Sequence, residues 1–253
     1  MKLDLEKLQG VDFVEAEELM CKAHLGVWAE RKRGFSNAQL HWEWCDLAMR
    51  LRRLAVVAPR EHAKSEVFTV NQVTWRCTYT PGLQAFGFAE TGDMAKKLKA
   101  RVDRCVQETA PWMLKGPNVQ QNTEYSRYAN FSEFRVAGSG AGVRGAHPDL
   151  IVGDDVLSEG TCLTHHQRQK LHRWWHGTVG GMAHPGTWRF LGEDEAKAPR
   201  VWMPPTRIHL VGTPFHQSDL LMAMRDNQIY RFRRYQAEFD ENDLVEGLAV
   251  EST

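Results

Sequence analysis

Leu54-Ala55-Val56-Val57-Ala58-Pro59-Arg60-Glu61-His62-Ala63-Lys64-Ser65 is the stretch on which the reading of this chain turns. Its first four residues form a short apolar run, rich in β-branched side chains, that predicts a buried strand. The run passes directly into a loop, and a helix is predicted from there to about Trp75. A phosphate-binding loop has the form G-x-x-x-x-G-K-[ST] between a strand and a helix. Lys64-Ser65 has that context and the loop has that length, but Ala58 and Ala63 stand where the glycines belong. On this reading the loop Pro59-Arg60-Glu61-His62-Ala63 cradles phosphate oxygens with its backbone amides. Lys64 reaches the terminal phosphates of ATP and Ser65 ligates Mg2+. The competing reading is a plain strand-to-helix turn with an exposed lysine. Alanine narrows the allowed backbone and Glu61 adds negative charge, so low nucleotide affinity is expected.

Further strands are predicted at Gln84 to Ala89, stopping at Glu90-Thr91-Gly92, and at Phe131 to Val136. Leu150-Ile151-Val152 ends in Gly153-Asp154-Asp155, and Arg207 to Val211 ends in Gly212-Thr213-Pro214. A last strand covers Tyr230 to Ala237. Helices are predicted over residues 1 to 33, from a Ser36 or Asn37 cap through Leu47, over Asp93 to Gln107, over Thr164 to His176 and over Asp219 to Arg225. Gly138, Gly140, Gly142 and Gly145 mark a glycine-rich loop, and Gly177 to Pro205 reads as turns. This alternation predicts an α/β fold with a mainly parallel central sheet and helices on both faces. Ligands of such sheets bind at strand carboxyl ends. The Lys64 loop, Asp154-Asp155 and Gly212-Thr213 all fall there. A carboxylate after an apolar strand is what Mg2+ on a nucleotide requires, which assigns Asp154 to the metal. Asp155 beside it can orient and deprotonate water. A capping pair of aspartates in a turn is the alternative.

Composition excludes other classes. Lys plus Arg and Asp plus Glu are both 32, a formal charge of zero, so nucleic-acid contact must come from local patches. Hydrophobic residues at 42% and charged residues at 25% are ordinary globular values. No apolar run reaches a membrane span, and Asp4 and Glu6 break any signal-peptide core. Five scattered cysteines without C-x-x-C argue against a disulfide framework or a zinc ribbon.

Taken in order, these stretches resemble the ATPase domain of the large terminase subunit of tailed bacteriophages. The Ala58 to Ser65 loop resembles that family's deviant Walker A, with Arg60 four residues before Lys64. Gly142-Val143-Arg144-Gly145 and Pro148 to Asp155 resemble its arginine–glycine loop and Walker B, and Gly212-Thr213-Pro214 its coupling motif. Gln167 to Leu171 with Trp174 resembles the helix that follows. The resemblance spans about residues 35 to 237 and implies a P-loop NTPase of the additional-strand, RecA-like type. It implies a motor that couples ATP hydrolysis to translocation of double-stranded DNA into a procapsid. Asp155 takes the place of the usual catalytic glutamate, Arg60 lies on the phosphates or the subunit boundary, and Arg144, eleven residues before Asp155, is a trans-acting finger candidate. Gly212 and Thr213 sense loss of the γ-phosphate. Gln39, beside Phe35, is an adenine-reading candidate, although a core-packing helix explains that segment equally.

The implied partners are the portal protein, the small terminase subunit and further copies in a ring, five-fold when working and monomeric in isolation. The implied location is the cytoplasm of the infected bacterial host, docked at the portal, with no membrane contact. The expected organisation is a helical lead-in at 1–34, a P-loop ATPase domain at 35–239 and an acidic linker or tail at 240–253. Large terminases carry a C-terminal nuclease domain, and none is expected in this chain. Two further readings stay open. A non-catalytic nucleic-acid-binding module would use the basic helix Lys96 to Arg104 and the cluster Arg231, Arg233 and Arg234. A helicase-like P-loop ATPase would share the motifs without packaging. His172 and His176 have metal-binding spacing but lack the intervening glutamate of a zinc protease.

Overall fold

The computed structural model describes residues 12–143, 145–192, 194 and 196–236. Its strands are β1 (Arg53–Val57), β2 (Gln84–Ala89), β3 (Gln120–Gln121), β4 (Tyr125–Arg127), β5 (Glu133–Gly138), β6 (Leu150–Asp154), β7 (Thr187–Phe190), β8 (Arg200–Met203), β9 (Arg207–Gly212) and β10 (Arg231–Arg234). Its helices are α1 (Phe13–Ala23), α2 (Leu25–Arg33), α3 (Gln39–Arg50), α4 (Gln72–Tyr79), α5 (Gly92–Thr109), α6 (Glu159–Cys162), α7 (His165–Arg173) and α8 (Leu220–Ala223). The main sheet has the order β10-β1-β9-β6-β2-β5-β4-β3. All pairings from β10 to β5 are parallel, and β4 and β3 extend the sheet antiparallel at one edge. One strand, β9, is therefore inserted between the loop-bearing β1 and the acidic β6.

Side-chain alternation explains the two cores. Leu54, Val56, Ala85, Leu150 and Val152 face one side, where they meet Trp28, Trp44 and Phe68. Ala55, Val57, Phe86, Phe88 and Ile151 face the other, against Trp174 and Trp175. Burial on both faces is why these strands read as unbroken apolar runs. Gly153 breaks the run for a steric reason: a Cβ there would lie 2.7 Å from the Trp175 ring.

Several local expectations are corrected. The predicted helix over residues 1 to 33 is divided, within the described part, at His24, whose extended backbone ends α1 and whose ring accepts the Gly26 amide to start α2. Both helices pack into the core through Cys21, Leu25 and Trp28. α3 starts after Ala38, and not at Ser36 or Asn37, because Asn37 instead donates its side-chain amide to the Gly26 carbonyl. The segments Glu66–Asn71 and Trp174–Val179 are π-helical. The turn-rich stretch contains the antiparallel hairpin β7–β8. Residues 1–11 and 237–253, and with them the whole of the expected acidic tail at 240–253, lie outside the described residues. Among the described residues no helix is long and apolar enough to cross a membrane.

Candidate nucleotide-binding site

Four parallel strand ends deliver their following residues to one cleft of about 460 Å³. β1 supplies Arg60, Lys64 and Ser65, β6 supplies Asp155, β9 supplies Thr213, and β2 supplies Glu90.

The loop after β1 takes a curled path without glycine. Glu61 and Ala63 hold φ of 66° and 56°, the left-handed region that glycine enters without strain. The second position is where the motif has its glycine, so Ala63 adopts the backbone shape that the missing residue would have supplied. The amides of Glu61, His62 and Ala63 have no acceptor among the described residues. They are free donors beside a helix start, the arrangement that receives phosphate oxygens. The His62 ring instead bonds the Arg60 carbonyl at 2.8 Å.

Lys64 is buried and folded back into its own loop. Its ammonium donates to the carbonyls of Ala58 (2.9 Å) and Pro59 and to the Thr213 hydroxyl (3.3 Å). Burial pulls its pKa down, with Asp155 and Asp154 opposing. Ser65 donates to Asp154 Oδ1 at 2.8 Å, and Thr69, one turn along the helix, donates to Oδ2 at 2.9 Å. The i, i+4 spacing of Ser65 and Thr69 was visible in the sequence, but only the fold shows both hydroxyls on one carboxylate. Burial and the neighbouring Asp155 push the Asp154 pKa up to about 6. A buried carboxylate next to a serine hydroxyl, without a cation partner, is a hard-oxygen donor pair of the type Mg2+ takes together with phosphate oxygens. The donor set fits that ion.

Because the Asp154 carboxyl is held above its ordinary value of 3.8, the stability it contributes is full below that pH and is lost as pH rises through about 6. Asp154→Asn should therefore stabilise the metal-free protein at pH 7 on the order of 1–3 kcal/mol, read as a higher urea midpoint. A lower midpoint at pH 7 would contradict the burial argument.

Asp155 adopts a φ of 45°, and its Oδ1 accepts the Thr213 amide at 3.1 Å. Gly212 gives that oxygen room, since a Cβ on it would approach the oxygen to 3.0 Å, a tight contact. Thr213 thus touches Lys64 with its hydroxyl and Asp155 with its amide. The loop beyond it is fixed by Asp219, which is fully buried. Asp219 accepts the amides of Phe215 (2.8 Å), His216 (3.1 Å) and Met222 (2.9 Å). Arg60 is exposed at the cleft, with its guanidinium 5.7 Å from the Phe215 ring centroid.

Not every candidate converges. Gln39 is exposed at the start of α3 and is not among the residues lining the cleft. Arg144 lies outside the described residues. Asp149, next to the acidic strand, sits at the opposite end of β6 and binds His184 and Arg189. Three charged cleft residues, Glu66, Glu90 and Arg101, are not assigned to the site by the sequence. Glu66 binds Arg33 of α2 and Arg101 of α5, and Arg101 and Glu90 line the cleft themselves. The basic helix is largely paired: Lys99 binds Asp103, Arg101 binds Glu66, and Lys96 lies near Asp93 and Glu124. Lys97 and Arg104 are exposed without an ion-pair partner among the described residues.

The strand order, with one strand between the phosphate loop and the acidic strand, defines the fold as a P-loop NTPase of the additional-strand, RecA-like type. Among solved structures the chain is similar to the large terminase ATPase domain of Thermus phage P74-26. The TM-score is 0.52 at 15% identity, over 74% of this chain and 68% of that one. A point variant of the same domain matches with a TM-score of 0.55 at 14% identity, over 87% and 79% of the two chains. No family model and no curated protein matches the sequence.

Proposed function

We propose that this chain is the ATPase motor domain of a viral large terminase, which hydrolyses ATP to drive double-stranded DNA into a procapsid. The observation that carries the reading is the convergence of Lys64, Ser65, Asp155 and Thr213 on one cleft, with the Ser65 hydroxyl 2.8 Å from the carboxylate of Asp154 buried behind it. The likeness to a phage terminase ATPase domain supports it at the level of fold.

The loop amides and Lys64 bind the phosphates, and Lys64 leaves its carbonyl partners to do so. Ser65 and Asp154 would hold Mg2+, which would neutralise phosphate charge. Arg60 stands where it can contact phosphate or a neighbouring subunit. Arg144 would complete the site of that neighbour, an arrangement worth roughly 10³–10⁵ in rate where such fingers are known. Gly212 and Thr213 report the state of the phosphates to the rest of the domain. Water activation needs a cleft carboxylate free to take a proton; of the four that line it, Glu66 is taken up by Arg33 and Arg101 and Glu61 is exposed on the loop, which leaves Asp155 and Glu90. The working form is a ring, five-fold by the resemblance, docked at the portal with the small terminase subunit in the cytoplasm of the infected host.

The test is ATP hydrolysis measured with and without Mg2+, and with double-stranded DNA of unrelated sequences. The expected result is Mg2+-dependent turnover that responds to DNA regardless of sequence, since a packaging motor grips the backbone. DNA binding that weakens steeply with salt, with no hydrolysis under any condition, would establish the binding-module reading instead. Mixing Arg144→Ala with Asp154→Ala protein tests the trans contact: the mixture should recover activity that neither protein has alone.

A further inference from the structure

We propose that Glu90 is the carboxylate that takes the proton from the attacking water, and that Asp155 is a positioning residue tying the cleft to the end of β9. This assignment rests on the ATPase reading above.

The register supplies the first argument. β2 pairs in parallel with β6, with Phe88 opposite Gly153. The ladder ends at that pair, and Glu90 and Asp155 each follow it by two residues, leaving adjacent parallel strands at the same edge of the sheet. Glu90 and Asp155 both line the cleft that holds Lys64 and Ser65.

Availability supplies the second. A general base must have an oxygen free to accept a proton. Asp154 has both oxygens occupied by Ser65 and Thr69, and Glu66 has both occupied by Arg33 and Arg101. Asp155 commits one oxygen to the Thr213 amide. Glu61 is exposed at the loop tip. The Glu90 carboxylate, half-buried, has no hydrogen-bond or ion-pair partner among the described residues. Its backbone is nevertheless fixed. The Glu90 carbonyl accepts the Ser139 hydroxyl at 2.8 Å, and the next residue, Thr91, caps α5 by accepting the Met94 amide at 3.2 Å. A free carboxylate on a fixed backbone is pre-organised for proton transfer. Glu90 also has the extra methylene that Asp155 lacks.

In the step, Glu90 accepts one proton as the water oxygen bonds to the γ-phosphorus. The bond from that phosphorus to the β,γ-bridging oxygen breaks, and its electron pair leaves with ADP. Glu90 then returns the proton to solvent, which leaves ADP, inorganic phosphate and the original carboxylate.

The experiment compares the unaltered protein with Glu90→Gln, Glu90→Asp, Asp155→Asn and Lys64→Ala, each assayed for steady-state turnover with Mg2+-ATP and for binding of a fluorescent ATP analogue. Glu90→Gln should lower turnover about 10²–10⁴-fold, with nucleotide affinity changed less than about threefold. Glu90→Asp should regain part of the loss. Asp155→Asn should cost about tenfold or less, because it removes a positioning contact. Near-normal turnover in Glu90→Gln, with Asp155→Asn inactive, would overturn the assignment. In that case hydrolysis abolished by Lys64→Ala would still uphold the ATPase reading. An unaltered protein that binds nucleotide without hydrolysing it would overturn both.

Discussion

Lys64→Ala is expected to lower ATP turnover by about 10³-fold or more and to remove measurable nucleotide affinity, while leaving the protein folded. The chemical half follows from charge. Lys64 is the only buried ammonium among the described residues lining the cleft, and its reach to the carbonyls of Ala58 and Pro59 and to Thr213 marks the space a terminal phosphate would take. The structural half follows from burial. The ammonium is desolvated and held mainly by carbonyls, so it is an expensive group in the empty site. Removing it costs little stability and relieves some desolvation. Thermal melting of the variant in the absence of nucleotide should therefore match or exceed that of the unaltered chain. Turnover above a tenth of the original, or a collapsed melting profile, would each break one half of the argument.

Asp149→Ala should have the largest effect on folding, about 3–5 kcal/mol, or a melting point lower by roughly 10 °C. Asp149 is buried at the amino end of β6. One oxygen accepts from His184 at 2.9 Å, and the other accepts the Gln84 amide at 2.7 Å and the Arg189 guanidinium. One carboxylate thereby fixes the start of β2, the hairpin and the turn that leads into it. Truncating it leaves the half-buried Arg189 and His184 without their acceptor, the situation in which breaking a buried pair costs most. Because this cluster lies at the end of the sheet away from the cleft, nucleotide affinity at low temperature should be almost unchanged. A loss of affinity without a loss of melting temperature would show that Asp149 belongs to the functional site after all.

The contrast between these two residues shows what the sequence made legible. Lys64, Asp154 and Gly212 stand at the ends of strands buried on both faces, and such strands leave unbroken apolar runs that can be read directly. Asp149 stands just before the same apolar run, but nothing in the sequence names its partners, because His184 and Arg189 lie far along the chain. The β7–β8 hairpin escaped notice because it is a two-stranded ribbon with exposed Trp188 and Trp202. It carries no consistent inward face, and Arg189 anchors it from a distance. Glu90 was hidden for another reason. It lies far from Asp154 in sequence, and only the pairing of β2 with β6 makes them neighbours. The π-helical turns after Ser65 and Arg173 have nearly the helical apolar rhythm, so the sequence reads them as α-helix.

The loop from Thr213 to Asp219 carries a mechanical consequence. With two of its amides and the Met222 amide of α8 pinned to one buried carboxylate, it has few internal ways to yield. A push applied at Thr213, by Lys64 swinging away or by Asp155 changing partners, is then not absorbed locally. It would travel as a rigid displacement to α8, whose Leu220 and Leu221 are buried in the core. The segment would work as a crank rather than a hinge, and a nucleotide-sized change at one strand end would tilt the packing on the far face.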